Sequence, residues 1–153
     1  MKNRAFRYLL FIATAVLLAS TAAVQADQTP WLTDYAKALQ QAKEQKRNVL
    51  LDFTGSDWCP VCIQMDKQVF NTPEFKGYSD KKLVLLRLDF PISKPLPQNL
   101  QDQNNHLVDA YSVGDLFPVF ILVDPAGKVI LRHVGLVEGG PAGFIAMIEG
   151  KKA

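Results

Sequence analysis

Apolar and polar positions along this chain follow two different rhythms, and the switches between them mark its elements. Trp31, Tyr35, Ala38, Leu39 and Ala42 recur at helical spacing, followed by Lys43, Lys46 and Arg47. Thr29 as cap and Pro30 as first residue predict where this helix starts, and the basic cluster predicts its end near Asn48. Residues 49–54 form a nearly unbroken apolar run, too short for a helix, which predicts a strand covered on both faces. Helical spacing returns with Cys62, Met65, Asp66 and Val69 and breaks at Asn71-Thr72-Pro73-Glu74, where a second cap-then-proline signal opens a short helical turn carrying Phe75.

Residues 83–90 read as a second buried strand, and residues 91–99, with three prolines, as a surface loop. A polar-faced helix through Leu107, Ala110 and Tyr111 is expected over 101–111, and a connection containing Gly114 over 112–117. The β-rich runs 119–123 and 128–134 flank Asp124-Pro125-Ala126-Gly127, which predicts an antiparallel hairpin. A last helix is expected from about Ala142 to Glu149. This order of elements predicts an α/β fold: a mixed central sheet with a parallel part joined by crossover helices, an antiparallel edge hairpin, and helices on both faces.

Composition changes this picture at one end only. Lys2, Arg4 and Arg7 precede an almost wholly apolar stretch of 16 residues, 8–23, and Val24-Gln25-Ala26 places small residues where signal peptidase cuts. Residues 1–26 therefore read as a secretory signal peptide, the apolar stretch being shorter than the roughly 20 residues a spanning helix needs. Residues 27–153 read as one domain. Removing three of the 17 basic residues and no acidic one leaves 14 against 15, a net charge near −1. That balance gives no basic stripe for nucleic acid and no stable membrane insertion after cleavage.

The chain has two cysteines, Cys59 and Cys62, spaced C-x-x-C between the first strand and the second helical pattern. Cys59 is placed to cap that helix, with Pro60 as its first residue. A thiolate at a helix start is stabilised by free N–H groups and the positive dipole end, so Cys59 should be exposed and acidified. Cys62, nearly one turn on and more enclosed, could resolve a mixed disulfide formed at Cys59. The spacing is equally that of a structural disulfide or of half a zinc site. His106 and His133 belong to no short ligand pair, so they are read as surface residues rather than metal ligands. Asp57 and Lys67 read as solvated charges.

The C-x-x-C at a strand-to-helix junction, the proline before the third buried strand, the hairpin and the last helix together resemble the thioredoxin superfamily, over residues 31 to about 149. DFTGSDWCPVC, KQVFNTPEF and the proline-rich insertion after LRLDF are similar to secreted, single-domain bacterial thioredoxin-like proteins. They are similar also to the C-terminal domain of the membrane thiol–disulfide interchange protein. The resemblance implies Cys59 as nucleophile and Cys62 as resolving cysteine. It further implies Trp58 as the aromatic beside the site, a cis Phe117–Pro118 bond facing the disulfide, and Asp52 as a buried carboxylate exchanging a proton with Cys62. Asp52 lies seven residues before Cys59, one more than the family's usual spacing, and Ser56 is the loop residue that could absorb the difference.

The expected function is thiol–disulfide exchange with exported cysteine-containing proteins, as a reductase or isomerase supplied by a membrane-bound electron donor. It needs no cofactor beyond the dithiol. The alternatives are a non-catalytic binding module with a structural disulfide, and metal delivery through the two thiolates.

Overall fold

The computed structural model describes residues 31–151. The expected signal peptide and the expected Thr29–Pro30 cap lie outside them. Four strands, β1 (Asn48–Thr54), β2 (Leu83–Asp89), β3 (Val119–Val123) and β4 (Val129–Val134), form one sheet in the order β2-β1-β3-β4. β1 runs parallel to β2 and antiparallel to β3, and β3–β4 is the expected edge hairpin. The mixed sheet is thus as the sequence predicts.

Because side chains alternate across a strand, β1, β2 and β3 each supply two cores. Val49, Leu51 and Phe53, with Val84, Leu86 and Leu88 and with Val119, Ile121 and Val123, face helices α1 (Tyr35–Gln45) and α4 (Gln98–Ala110) through Ala38, Ala42 and Leu107. Leu50, Leu83, Leu85, Phe120 and Leu122 face the opposite way. There they meet α2 (Pro60–Met65), its continuation Asp66–Phe70, α3 (Pro73–Lys82) and α5 (Gly140–Ile148), through Met65, Val69, Phe70, Phe75 and Phe144. Helices therefore cover both faces. Among the described residues, no helix is long and apolar enough to cross a membrane.

Several elements depart from their expected bounds. The first helix starts at Tyr35, where the Asp34 carboxylate accepts the Lys37 N–H at 3.0 Å. Leu32 is held in extended form beside β2: its N–H donates to Leu85 O and its carbonyl accepts from Arg87 N, at 2.9 and 2.8 Å. Both backbone groups of Leu32 are thus committed to the sheet, and no helix can include them. Trp31 leaves the predicted helical face and packs with Phe70 on the other side of the sheet. At the far end Lys46 turns left-handed, stopping α1 at Gln45 and freeing Asn48 to open β1.

The helix after the cysteines widens into a π-helical turn at Asp66–Phe70, which brings both Val69 and Phe70 into the core. The expected short turn at Pro73 is a ten-residue helix, capped by Thr72 Oγ1 accepting the Phe75 N–H. Helix α4 begins at Gln98, immediately after Pro97, and α5 at Gly140, each a little before the predicted start.

Candidate active site

β1 ends at Thr54, and the chain turns through residues 55–58 to deliver Cys59 to the start of α2. The Cys59 N–H donates to Gly55 O at 2.9 Å, which closes the turn. Cys59 takes an extended backbone conformation as N-cap, Pro60 occupies the first turn, and Cys59 Sγ accepts the Cys62 N–H at 3.2 Å. A cysteine sulfur therefore stands where Ser or Asp oxygens usually cap. The two cysteines form a disulfide, with Cα atoms 5.2 Å apart. The expectation of an exposed Cys59 is corrected here, since Cys59 is 4% exposed and Cys62 3%. The cause is local: the Cys59 sulfur turns inward to its partner and to the Cys62 amide.

The Phe117–Pro118 bond is cis, as expected. The Phe117 ring meets the Trp58 indole edge-on at 5.6 Å between centroids, and Phe90 meets Phe117 at 5.3 Å. Trp58 is 41% exposed and fixed from behind by its indole N–H, which donates to Phe90 O at 2.8 Å. Gly55 makes that pose possible, because a Cβ there would collide with Trp58 Cε2. Trp58, which precedes Cys59 in the chain, is thus brought against the Phe117 of the cis bond.

Asp52 sits in the middle of β1, paired with Arg87 on β2 and Phe120 on β3, on the side of the sheet covered by the cysteine helix. Ser56, the additional loop residue, is drawn outward, its N–H and hydroxyl both donating to the Asp89 carboxylate. Asp52 thereby keeps its inward register. Burial pushes its pKa up from 3.8 to about 7, against the lowering pull of the Arg87 charge. Arg87 Nε faces Asp52 Oδ2 at 3.4 Å without an aligned hydrogen bond, and Asp52 Oδ1 is buried without a partner. The same guanidinium pairs with the Asp66 carboxylate from the π turn and lies 4.5 Å over the Trp31 ring. One cation thus links the strand carboxylate to the continuation of the cysteine helix.

Sequence reasoning missed Arg87, Asp66, Phe90 and Gly55 as parts of this region. A charge inside the otherwise apolar run 83–88 is the available signal for Arg87. Asp57 also needs correction. It is not merely solvated, since its carboxylate accepts the N–H groups of Ile92 and Ser93, the latter at 2.6 Å. A hydrogen bond with the Ser93 side chain, followed by the backbone bonds from Ser93 and Ile92, holds its pKa below the usual range.

Comparison with known proteins agrees with this geometry. A family model described as thioredoxin-like matches residues 30–125. The chain is 33% identical over 132 residues to the disulfide bond reductase DsbH of Chlamydia pneumoniae, covering 86% of this chain and 78% of that protein. The solved structure of a DsbH oxidoreductase superposes with a TM-score of 0.75 at 32% identity, over 87% of this chain and 90% of the other. The reduced C-terminal domain of Neisseria meningitidis DsbD superposes with a TM-score of 0.55 at 26% identity, over 76% and 92% of the two chains. A cysteine pair bonded across the start of a helix, in this fold and with these relatives, identifies the chain as a member of the thioredoxin-like family and as a thiol–disulfide oxidoreductase.

Proposed function

We propose that this protein reduces disulfides in exported, cysteine-containing proteins, with Cys59 attacking and Cys62 resolving. The observation that carries this reading is the capping bond from the Cys62 N–H to Cys59 Sγ, because that donor would stabilise a thiolate on Cys59 and leave Cys62 the weaker acid. In the reduced protein the Cys59 thiolate attacks one sulfur of a client disulfide. A Cys59–client bond forms, the client disulfide breaks, and the second client sulfur leaves as thiolate. Cys62 then loses its proton and attacks Cys59 Sγ, forming the 59–62 disulfide and releasing the first client sulfur. Two electrons pass from the dithiol to the client, and the disulfide-bonded structure is the product state.

Asp52 is the proton acceptor for Cys62 in this scheme. Its raised pKa and its position on the cysteine-helix face support the role, since a base near pH 7 can both take and return a proton. Trp58, Phe117 and Pro118 form the client-facing surface, supported by the exposed indole and its contact with the Phe117 ring. The reductive direction is favoured by the similarity to a disulfide bond reductase, and steady turnover then requires an electron donor at the membrane.

The leader pattern in residues 1–26 supports work outside the cytoplasm, in the periplasm or its equivalent. Intact mass from the producing cell should give a chain beginning at Asp27, whereas a full-length membrane-bound species contradicts export. The redox equilibrium of Cys59–Cys62 against glutathione tests the function. A potential between about −120 and −270 mV is expected of an exchange domain. A value below about −300 mV would instead make the bond a structural staple on a binding module.

A further inference from the structure

Three consecutive residues ahead of the cysteine helix bond the same downstream segment. Ser56 donates its N–H and hydroxyl to the Asp89 carboxylate, at 2.9 and 2.6 Å. The Asp57 carboxylate accepts the Ile92 N–H at 3.0 Å and the Ser93 N–H at 2.6 Å. Trp58 donates its indole N–H to Phe90 O. Segment 89–93 is thus stitched to the loop that carries Cys59, and Pro91, Pro95 and Pro97 restrict what the rest of this insertion can do.

The segment presents Ile92, which is 72% exposed. A solitary exposed isoleucine on a protein surface needs no explanation. Ile92 is not solitary in that sense: its backbone is held by a carboxylate two residues before Cys59. Exposed Trp58, Ile63 and Leu116 are close neighbours in sequence of Cys59, Cys62 and the cis bond respectively. A hydrogen-bonded latch that keeps an isoleucine in water on the loop leading into Cys59 has no use in the core.

We infer that Ile92 is a specificity-determining residue for the exchange reaction, receiving an apolar side chain that flanks the attacked cysteine in an extended client segment. The inference rests on Cys59 being the attacking thiol. Small disulfides such as oxidised glutathione carry no such flank and gain nothing from Ile92. Covering Ile92 with a leucine-sized group removes enough apolar surface from water to favour such a client by about tenfold.

The test uses the reduced protein and two peptide disulfides that differ only in leucine or serine next to the cysteine, with oxidised glutathione as reference. The wild type should show a leucine-to-serine ratio in kcat/KM of about ten. Ile92→Ser should bring that ratio close to one, and Ile92→Leu should retain it. A ratio that stays near ten in Ile92→Ser, or a wild type indifferent to the flank, overturns the inference while leaving the exchange reading intact. A wild type inert towards both peptides and glutathione removes the exchange reading and the inference with it.

Discussion

The two faces of the central sheet are built from neighbouring residues of the same strands, yet they are chemically unlike. On the side of α1 and α4, β1 offers Val49, Leu51 and Phe53, and the buried polar side chain of α4, Asn104, is satisfied by donating to Asp89 O at 3.0 Å. On the side of the cysteine helix, the same strand offers Leu50 and then Asp52, and β2 offers Leu83, Leu85 and then Arg87. The charged residues come at one end of an aromatic cluster of Phe70, Phe75, Phe120 and Phe144, whose rings meet one another at 5.0 to 5.7 Å between centroids. One face thus follows the packing rules throughout, and the other breaks them where the disulfide helix crosses. A buried carboxylate with an unpartnered oxygen is costly, and such violations of local rules are expected where chemistry needs them.

This contrast should appear in opposite signs of mutational effect. The largest change is expected on the apolar face. Phe53→Ala removes a ring with no solvent exposure and should destabilise by about 3–5 kcal/mol in urea unfolding, with little dependence on pH between 5 and 8. Asp52→Asn should do the reverse. A carboxylate whose pKa is raised from 3.8 to about 7 favours the folded state least when it must be charged. The penalty is absent below about pH 4, grows as pH rises towards 7 and is complete above it. Asp52→Asn should therefore stabilise by up to about 4 kcal/mol at pH 8, each tenfold weakening of the acid costing the folded state about 1.4 kcal/mol, with the Arg87 attraction already contained in the raised pKa. It should be near neutral at pH 4. If Asp52→Asn destabilises at pH 8, the two faces do not differ in the way described.

The parts of this molecule legible in the sequence are those set by local chemistry. Cys59 followed by Pro60 announces a helix start, and Asp124-Pro125-Ala126-Gly127 announces a hairpin; both occur as predicted. Resemblance to the family supplied the cis Phe117–Pro118 bond. The features that escaped are those set by partners far away in sequence. Thr29-Pro30 looks like a cap, but the pairing of Leu32 with residues on β2 decides where α1 can begin. Asp57 looks solvated until Ile92 and Ser93, 35 and 36 residues on, bring their amides to it. Arg87 is only a charge in a strand until the register sets it beside Asp52 and the π turn delivers Asp66. The π turn has no signature in the run DKQVF, and its effect, burying Val69 and Phe70 together, shows only in the packing.

The central claim is the division of labour between Cys59 and Cys62, and trapping of mixed disulfides tests it most directly. Each cysteine is replaced by serine in the producing cell, exchange is stopped with acid, and client adducts are separated on non-reducing gels. Cys62→Ser should accumulate adducts, because attack by Cys59 proceeds and release does not. Cys59→Ser should trap almost nothing, because the remaining thiol lacks the capping amide that stabilises a thiolate. Equal trapping by the two variants, or trapping by neither, would contradict the assignment and favour a structural bond.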